Sequence, residues 1–181
     1  MSQADIDAFI DSAYRCTITV ESVLRAVASG IPINGRHSTR KSTALWHALC
    51  LRRLDIIAVL LAVGANTNAK YEQGCTAVLR ACLLFTADIV QLLINGGGSV
   101  NEVGNRGETV LYACLYGCGL GDARARLGVL LARPELDMDA PYEVEIPTFV
   151  PRDMLVATAD ERVARRRWSN CRLAWMAAIA G

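Results

Sequence analysis

Residues 54–68 read LDIIAVLLAVGANTN, and related stretches stand at 18–34 (ITVESVLRAVASGIPIN) and 87–101 (ADIVQLLINGGGSVN). Each stretch has an acid, a helical run of apolar residues, a glycine and, four residues after that glycine, an asparagine. The asparagines that close the stretches are 34 and 33 residues apart along the chain: Asn34, Asn68 and Asn101. A fixed period of this length indicates a protein built from stacked structural repeats.

A second pattern recurs between the first ones, at 42–50 (STALWHALC), 75–83 (CTAVLRACL) and 108–115 (ETVLYACL). Each copy begins with a threonine that can cap a helix by accepting a backbone hydrogen bond. Each also carries a small alanine that lets neighbouring helices approach closely. The glycines of the first pattern stand where a helix ends and a left-handed residue is needed. These positions are Thr43, Thr76 and Thr109; Ala48, Ala81 and Ala113; Gly30, Gly64 and Gly97.

Over about residues 17–140 the two patterns together resemble the ankyrin repeat, whose consensus runs roughly G-x-T-P-L-H-x-A-A and then a helix ending L-L-x-x-G-A-x-x-N. The resemblance implies an all-α solenoid of helix–turn–helix repeats with hairpin-like tips, about four to five repeats including degenerate caps. The chain departs from the consensus at two positions. The proline is replaced by Ala44, Ala77 and Val110, and the histidine by Trp46, Leu79 and Tyr112. We expect lower stability than in a consensus repeat, because hydrogen bonds of that histidine are lost.

The sequence predicts a single domain over residues 1–181. It consists of a degenerate N-terminal cap repeat (1–34), three repeats (35–68, 69–101 and 102–139), and a loop followed by a C-terminal cap helix (140–181). Residues 5–14 form an amphipathic pattern that predicts the first helix of the cap. In the last repeat the segment 118–122 (CGLGD) is expected to lengthen the link between the two helices. Asp139 follows Asn101 by 38 residues, so the helix register there is open by one residue.

Composition narrows the class of partner and the compartment. Hydrophobic residues make up 52% and aromatic residues 6% of the chain, which favours packed helices. With 19 basic and 18 acidic residues the net charge is +1, so we expect neither nucleic acid nor a membrane surface as partner. No apolar run is long enough to span a bilayer. Seven cysteines, an odd number, indicate reduced thiols and a cytoplasmic protein, with the nucleus as the other compartment considered.

The resemblance places partner-binding residues on a concave face, at the repeat tips and at the ends of the first helices. Carried over by position, they are Arg40, Ser42, Cys50, Leu51, Gln73, Cys75, Leu83, Leu84, Phe85, Arg106, Glu108 and Tyr116. The apolar run 83–85 stands where the family usually has polar residues and a turn glycine. Exposed, these side chains would form a contact patch; alternatively, Leu83 or Leu84 packs against the lengthened loop of the next repeat.

Neither a catalytic nor a metal site is predicted. The two histidines are His37 and His47, and the pairs His47–Cys50 and Cys114–Cys118 lie two repeats apart, too far to share one zinc ion. We therefore expect no enzymatic activity and no cofactor.

The predicted function is that of a protein–protein interaction module (an adaptor, scaffold or inhibitor), monomeric, that binds a protein partner through its concave face and tips. The alternative is a substrate-receptor subunit whose C-terminal helix docks to ubiquitin-ligase machinery. Arginines gather on that helix, where they either bind phosphates or form the polar face of a cap: Arg162, Arg165, Arg166, Arg167 and Arg172.

Overall fold

The computed structural model describes residues 2–71, 74–116 and 120–137, and this part of the chain is helical. The helices are α1 (Gln3–Tyr14), α2 (Val20–Ala28), α3 (Ala44–Cys50), α4 (Leu54–Ala62), α5 (Ala77–Leu84), α6 (Ala87–Asn95), α7 (Val110–Tyr116) and α8 (Leu120–Leu131). Within the described ranges the β-structure amounts to one isolated bridge, between Val103 and Thr109. The expectation of an all-α repeat fold is confirmed.

The helices form two rows. In one row α1 packs on α3, α3 on α5, and α5 on α7; in the other, α2 packs on α4, α4 on α6, and α6 on α8. Three pairs also pack across the rows, namely α3 with α4, α5 with α6, and α7 with α8. The alanines at the centre of the first row, Ala48, Ala81 and Ala113, are fully buried, which permits this close approach. We call the surface formed by α1, α3, α5, α7 and the tips before them the first-helix face.

Threonine caps begin the three central helices of this row, as the sequence predicts. Each side-chain oxygen accepts a hydrogen bond from the amide three residues on, which satisfies a donor that the helix cannot pair. The pairs are Thr43 with Trp46 (3.3 Å), Thr76 with Leu79 (3.4 Å) and Thr109 with Tyr112 (3.1 Å). The first helix, α1, begins instead with a capping box formed by Ser2 and Asp5, and it buries Phe9, Ile10 and Ala13.

The tips share a hydrogen-bonded turn, and the turn of the first tip is one residue longer than the other two. The backbone bond runs from His37 N to Ser42 O (2.9 Å), from Tyr71 N to Cys75 O (3.0 Å) and from Gly104 N to Glu108 O (2.9 Å). One residue of each tip takes a positive φ angle: Lys41 (54°), Gly74 (69°) and Gly107 (81°). Glycine suits this conformation because it has no Cβ to clash with the backbone, so Lys41 occupies a strained position in the first tip.

The closing asparagines join each repeat to the next. Each Nδ2 donates to a carbonyl oxygen beyond the following second helix: Gly64 for Asn34, Gly97 for Asn68 and Glu135 for Asn101. Each Oδ1 accepts a hydrogen bond from the backbone amide two residues after that carbonyl, which belongs to Asn66, Ser99 and Asp137 in turn. The asparagine period is therefore a hydrogen-bonding period, and Asp139 would stand next in the series.

The fourth repeat corrects one expectation. Residues 120–122 form the first turn of α8 and therefore do not lengthen the link. As a result α8 has 12 residues, whereas α4 and α6 have nine each. One extra residue follows the buried Leu130, since the carbonyl that accepts from the asparagine lies five residues beyond Leu130 but four beyond Leu60 and Leu93.

The structure does not test the predicted division into repeats or the predicted C-terminal helix. The division into a cap, three repeats and a C-terminal segment stays a prediction, and the cap helix expected within 140–181 lies outside the described residues. In the part of the chain that the structure describes, no helix combines the length and apolarity needed to cross a membrane.

Candidate functional site

A cleft of about 480 Å³ opens on the first-helix face, between the first tip, the start of α3 and the next tip. Four of the residues that line it are basic. The lining consists of Arg36, Arg40, Lys41, Ser42, Trp46, His47, Lys70 and Tyr71. We call it the basic cleft.

Two stacked aromatic rings form the apolar part of the basic cleft. The rings of Trp46 and Tyr71 lie 4.2 Å apart between centroids, with an interplanar angle of 25°. Both side chains are half-buried. The Tyr71 hydroxyl is hydrogen-bonded to Thr43 Oγ1 (2.5 Å), which fixes the tip ring against α3. Burial raises the pKa of Tyr71, so the phenol is neutral at pH 7.

An arginine side chain lies against each ring of the stack. The Cζ atom of Arg36 lies 5.5 Å from the centre of the Tyr71 ring, and that of Arg80, on α5, lies 5.5 Å from the Trp46 ring. Arg36 is held by two backbone acceptors, because Nη1 donates to Lys41 O (2.8 Å) and Nη2 to Lys70 O (3.0 Å). These carbonyls fix the guanidinium without cancelling its charge.

Arg40 is engaged differently, by the cap helix α1. Its Nη1 pairs with the carboxylate of Asp11, and its Cζ atom lies 4.3 Å from the centre of the Tyr14 ring. Asp11 also lies 3.2 Å from His37 Nε2. The hydrogen bond from Arg40 lowers the pKa of Asp11, so this carboxylate stays charged and compensates the Arg40 cation.

His47 contributes no charge to the cleft at pH 7. Its imidazole is buried, and its Nε2 is hydrogen-bonded to Ser42 Oγ at 2.8 Å. Burial lowers the pKa of His47, because the charged imidazolium is penalised away from water. Trp46 stands where the family has its histidine, and His47 is the next residue. The Ser42–His47 pair therefore supplies a buried hydrogen bond next to that position.

Two thiols, those of Cys50 and Cys75, lie near Arg80 beside the cleft. Burial raises the pKa of Cys50, and it raises that of Cys75 to about 11, although the Arg80 cation opposes both shifts. Both thiols are therefore protonated at pH 7, and a protonated thiol is a poor nucleophile. Deeper in the core, Cys82 donates to Cys114, which lowers the pKa of the Cys114 thiol. Among the described residues no three metal-ligating side chains lie close enough to hold an ion.

The structure brings together only some of the predicted binding residues. Arg40 and Ser42 line the basic cleft, and Cys50 and Cys75 lie near Arg80, although Ser42 and Cys75 are buried. Leu51, beyond α3, is half-buried.

In the third tip the carboxylate of Glu108 accepts a hydrogen bond from the Arg106 amide (3.0 Å). Gln73 and the side chain of Tyr116 lie outside the described residues. Partner binding by any of these residues stays a prediction.

The expected exposure of Phe85 is wrong. This ring is 6% exposed, and the Cζ atom of Arg52 lies 5.0 Å from its centre. Its carbonyl accepts a hydrogen bond from Arg126 of α8 (3.0 Å), so the residue is enclosed from the side of the next repeat. Leu83 and Leu84 are half-buried and pack against the core. The run 83–85 is therefore chiefly a packing element; packing of Leu83 or Leu84 against the loop of the next repeat stays a prediction, because residues 117–119 lie outside the described residues.

The predicted binding residues do not include six residues at or beside the cleft: Arg36, Lys41, Trp46, Lys70, Tyr71 and Arg80. One signal was present, since Trp46 is a large aromatic residue at a family histidine position on a first helix. Its partner Tyr71 lies in the next tip, and only the stacking of repeats brings the two rings together.

Comparison with known proteins gives one similarity that bears on the fold. An ankyrin repeat-containing protein of Schizosaccharomyces pombe is 30% identical over 70 residues. The matched segment is 39% of this chain and 34% of the yeast protein, so the chain spans about a third of the relative's length. No protein-family model matches the chain. Over the matched segment the chain is similar to an ankyrin-repeat protein, and its all-helical repeats are consistent with that family.

Proposed function

We propose that this chain is an ankyrin-repeat interaction module that holds a protein partner on its first-helix face. The observation that carries the proposal is the half-buried Trp46–Tyr71 stack with an arginine against each ring. Tryptophan, tyrosine and arginine are the residues that most often dominate the binding energy of protein interfaces. The adaptor, scaffold and inhibitor roles all use such a surface.

The proposal is for binding without chemistry. The histidine of the cleft is neutral and hydrogen-bonded to Ser42, and the nearby thiols are protonated, so the site offers no activated nucleophile. The yeast relative, described as an ankyrin repeat-containing protein, supports a binding module in general terms.

The test is a quantitative pull-down from native cytosol with the full chain. We expect Trp46→Ala to lose at least one specific partner, because it removes the ring on which Tyr71 and Arg80 rest. The matched control is Leu24→Ala on α2, an exposed residue of the opposite row (52% exposed). Since Trp46 also packs against the core, Arg36→Ala serves as a second variant on the exposed rim of the cleft.

Retention of every specific partner by folded Trp46→Ala and Arg36→Ala protein would contradict the proposal. Equal unfolding midpoints in guanidinium establish that the variants are folded.

A further inference from the structure

We infer that the basic cleft binds an acidic peptide segment of the partner, presenting two or three Asp or Glu carboxylates beside an apolar side chain. This inference rests on the proposed function and specifies the chemistry of what the first-helix face recognises.

The lining of the basic cleft is positively charged. Four cationic side chains line the cleft, and no carboxylate is among its lining residues. Arg40 is compensated by Asp11, and Lys70 lies 3.1 Å from the Glu102 carboxylate. Arg36 and Lys41 form no ion pair within the described ranges. A ligand with carboxylates would meet cations that the neighbouring side chains leave uncompensated.

Arg80, on α5, adds a further cation beside the cleft. Its buried Nε has no hydrogen-bond acceptor among the residues that the structure describes, and it forms no ion pair with them. The half-buried Arg80 guanidinium is therefore a cation beside the Trp46 ring that no carboxylate of the described residues compensates. A ligand carboxylate lying near Trp46 would be attracted by that charge.

The Arg36 side chain is already held in place before a ligand binds. The Arg36 guanidinium is fixed by two carbonyls and by the Tyr71 ring, so little side-chain entropy is lost when a carboxylate binds its remaining donors. Guanidinium donors match carboxylate oxygens in geometry. The Trp46–Tyr71 stack lies beside them and offers an apolar surface to an aliphatic or aromatic side chain.

Carboxylates on either side of the cleft favour a short acidic peptide over a nucleic acid. Asp7 and Asp11 lie on the α1 side, and Glu102 and Glu108 lie toward the third tip. A polyphosphate strand continuing beyond a cleft of about 480 Å³ would meet these like charges. A peptide whose acids are confined to two or three positions avoids them, and its flanking residues can be neutral.

The experiment uses fluorescence polarisation with the full chain and two labelled peptides, Gly-Leu-Glu-Glu-Leu-Glu-Gly and its counterpart with glutamine at each glutamate position. We expect the glutamate peptide to bind at least about tenfold more tightly, and to weaken as NaCl rises from about 20 to 150 mM, since charge screening acts on exposed pairs. Arg36→Ala and Arg80→Ala should each weaken it about fivefold or more. Arg25→Ala, an exposed arginine of α2, is the matched control.

Three results would overturn the inference: equal binding of the glutamine peptide, no binding of the glutamate peptide, or unchanged binding by folded Arg36→Ala and Arg80→Ala. Displacement of the glutamate peptide by a lower concentration of a single-stranded 12-nucleotide DNA would also overturn it, in favour of a nucleic-acid ligand. The proposed function fails separately. A partner that Trp46→Ala loses, but that binds independently of salt and of both arginines, supports the module and refutes the acidic segment.

Discussion

Asn68 shows how one short side chain can join two repeats. Its Nδ2 donates to Gly97 O at 2.9 Å, and its Oδ1 accepts from Ser99 N at 2.7 Å. An asparagine amide is short and carries a donor and an acceptor at fixed separation, so it can bridge both backbone groups of the next turn. Asn34 and Asn101 make the equivalent pairs.

Replacing Asn68 tests this bridge. We expect Asn68→Ala to lower the free energy of unfolding by about 1–2 kcal/mol, because two partly exposed hydrogen bonds are lost. Asn68→Asp keeps the acceptor for Ser99 N but sets a charged oxygen against Gly97 O, so it should also destabilise. Guanidinium unfolding followed by circular dichroism measures both effects, and Ser29→Ala, at an exposed position after α2, is the control. An unchanged midpoint for Asn68→Ala would contradict the bridging role.

A second prediction at the residue scale concerns Cys16, which has a φ angle of 61° in the link between α1 and α2. A residue with a Cβ pays about 1–2 kcal/mol for this left-handed conformation, partly offset in glycine by its greater freedom when unfolded. We expect Cys16→Gly to be about 1 kcal/mol more stable than Cys16→Ala, both of which lack the exposed thiol. Thermal and guanidinium unfolding compare the pair, and equal stabilities would show that the left-handed geometry carries no strain.

At the scale of elements, carboxylates of α1 tie the cap helix to the first tip. Asp7 accepts hydrogen bonds from the backbone amide of Ser38 (2.9 Å) and from its hydroxyl (2.5 Å). These bonds, with one from Gln3, lower the pKa of Asp7 to about 2. A carboxyl group whose pKa is depressed by folding stabilises the fold at pH values above its unfolded pKa of about 3.9, and this contribution is lost as the pH falls toward 2.

The titration of Asp7 is therefore a measure of how α1 is attached. We expect its carboxyl resonance to titrate with a midpoint of about 2 in NMR spectra. In Ser38→Ala the midpoint should rise toward the ordinary value, because the hydroxyl hydrogen bond is the largest cause of the shift. An unaltered midpoint in Ser38→Ala would mean that the cap helix is held by other contacts.

Helix α8 is attached by an arginine where α4 and α6 have isoleucine. Arg126 precedes the buried Leu127 as Ile56 precedes Ile57 and Ile89 precedes Val90, and it is 1% exposed. It donates to Phe85 O (3.0 Å) and to Cys114 O (3.5 Å), so it links α8 to the end of α5 and to α7.

Replacing this arginine alone should be costly. Arg126→Met restores an apolar residue but leaves the two carbonyls without their donor, so we expect a loss of about 2–4 kcal/mol in the free energy of unfolding. Arg126→Lys keeps a cation and should lose less. Guanidinium unfolding of the two variants, with exposed Arg124→Met as the control, decides the question. Equal stability of Arg126→Met and the parent chain would show that packing alone holds α8.

At the scale of the whole molecule, patterns local to a repeat predicted more than contacts between repeats. Thr43 as a cap, Gly64 as a left-handed residue and Ala81 as a close-packing position each follow from a backbone need within a few residues, so the sequence shows them directly. The stack of Trp46 on Tyr71 joins residues of successive repeats. The Phe85 carbonyl accepts its hydrogen bond from a side chain 41 residues further on. Such contacts arise only after the repeats stack.

Stacking also makes a prediction for the molecule as a unit. In a solenoid, stability is a sum over repeats and the interfaces between neighbours. Asn34 and Asn101 act at different interfaces, so the losses caused by Asn34→Ala and Asn101→Ala should add in the double variant to within about 0.5 kcal/mol. We expect the denaturant dependence of unfolding to stay unchanged, because the same surface is exposed in one cooperative step. A shallower denaturant dependence in the double variant would instead mean that weakening the outer interfaces lets the end repeats unfold before the centre.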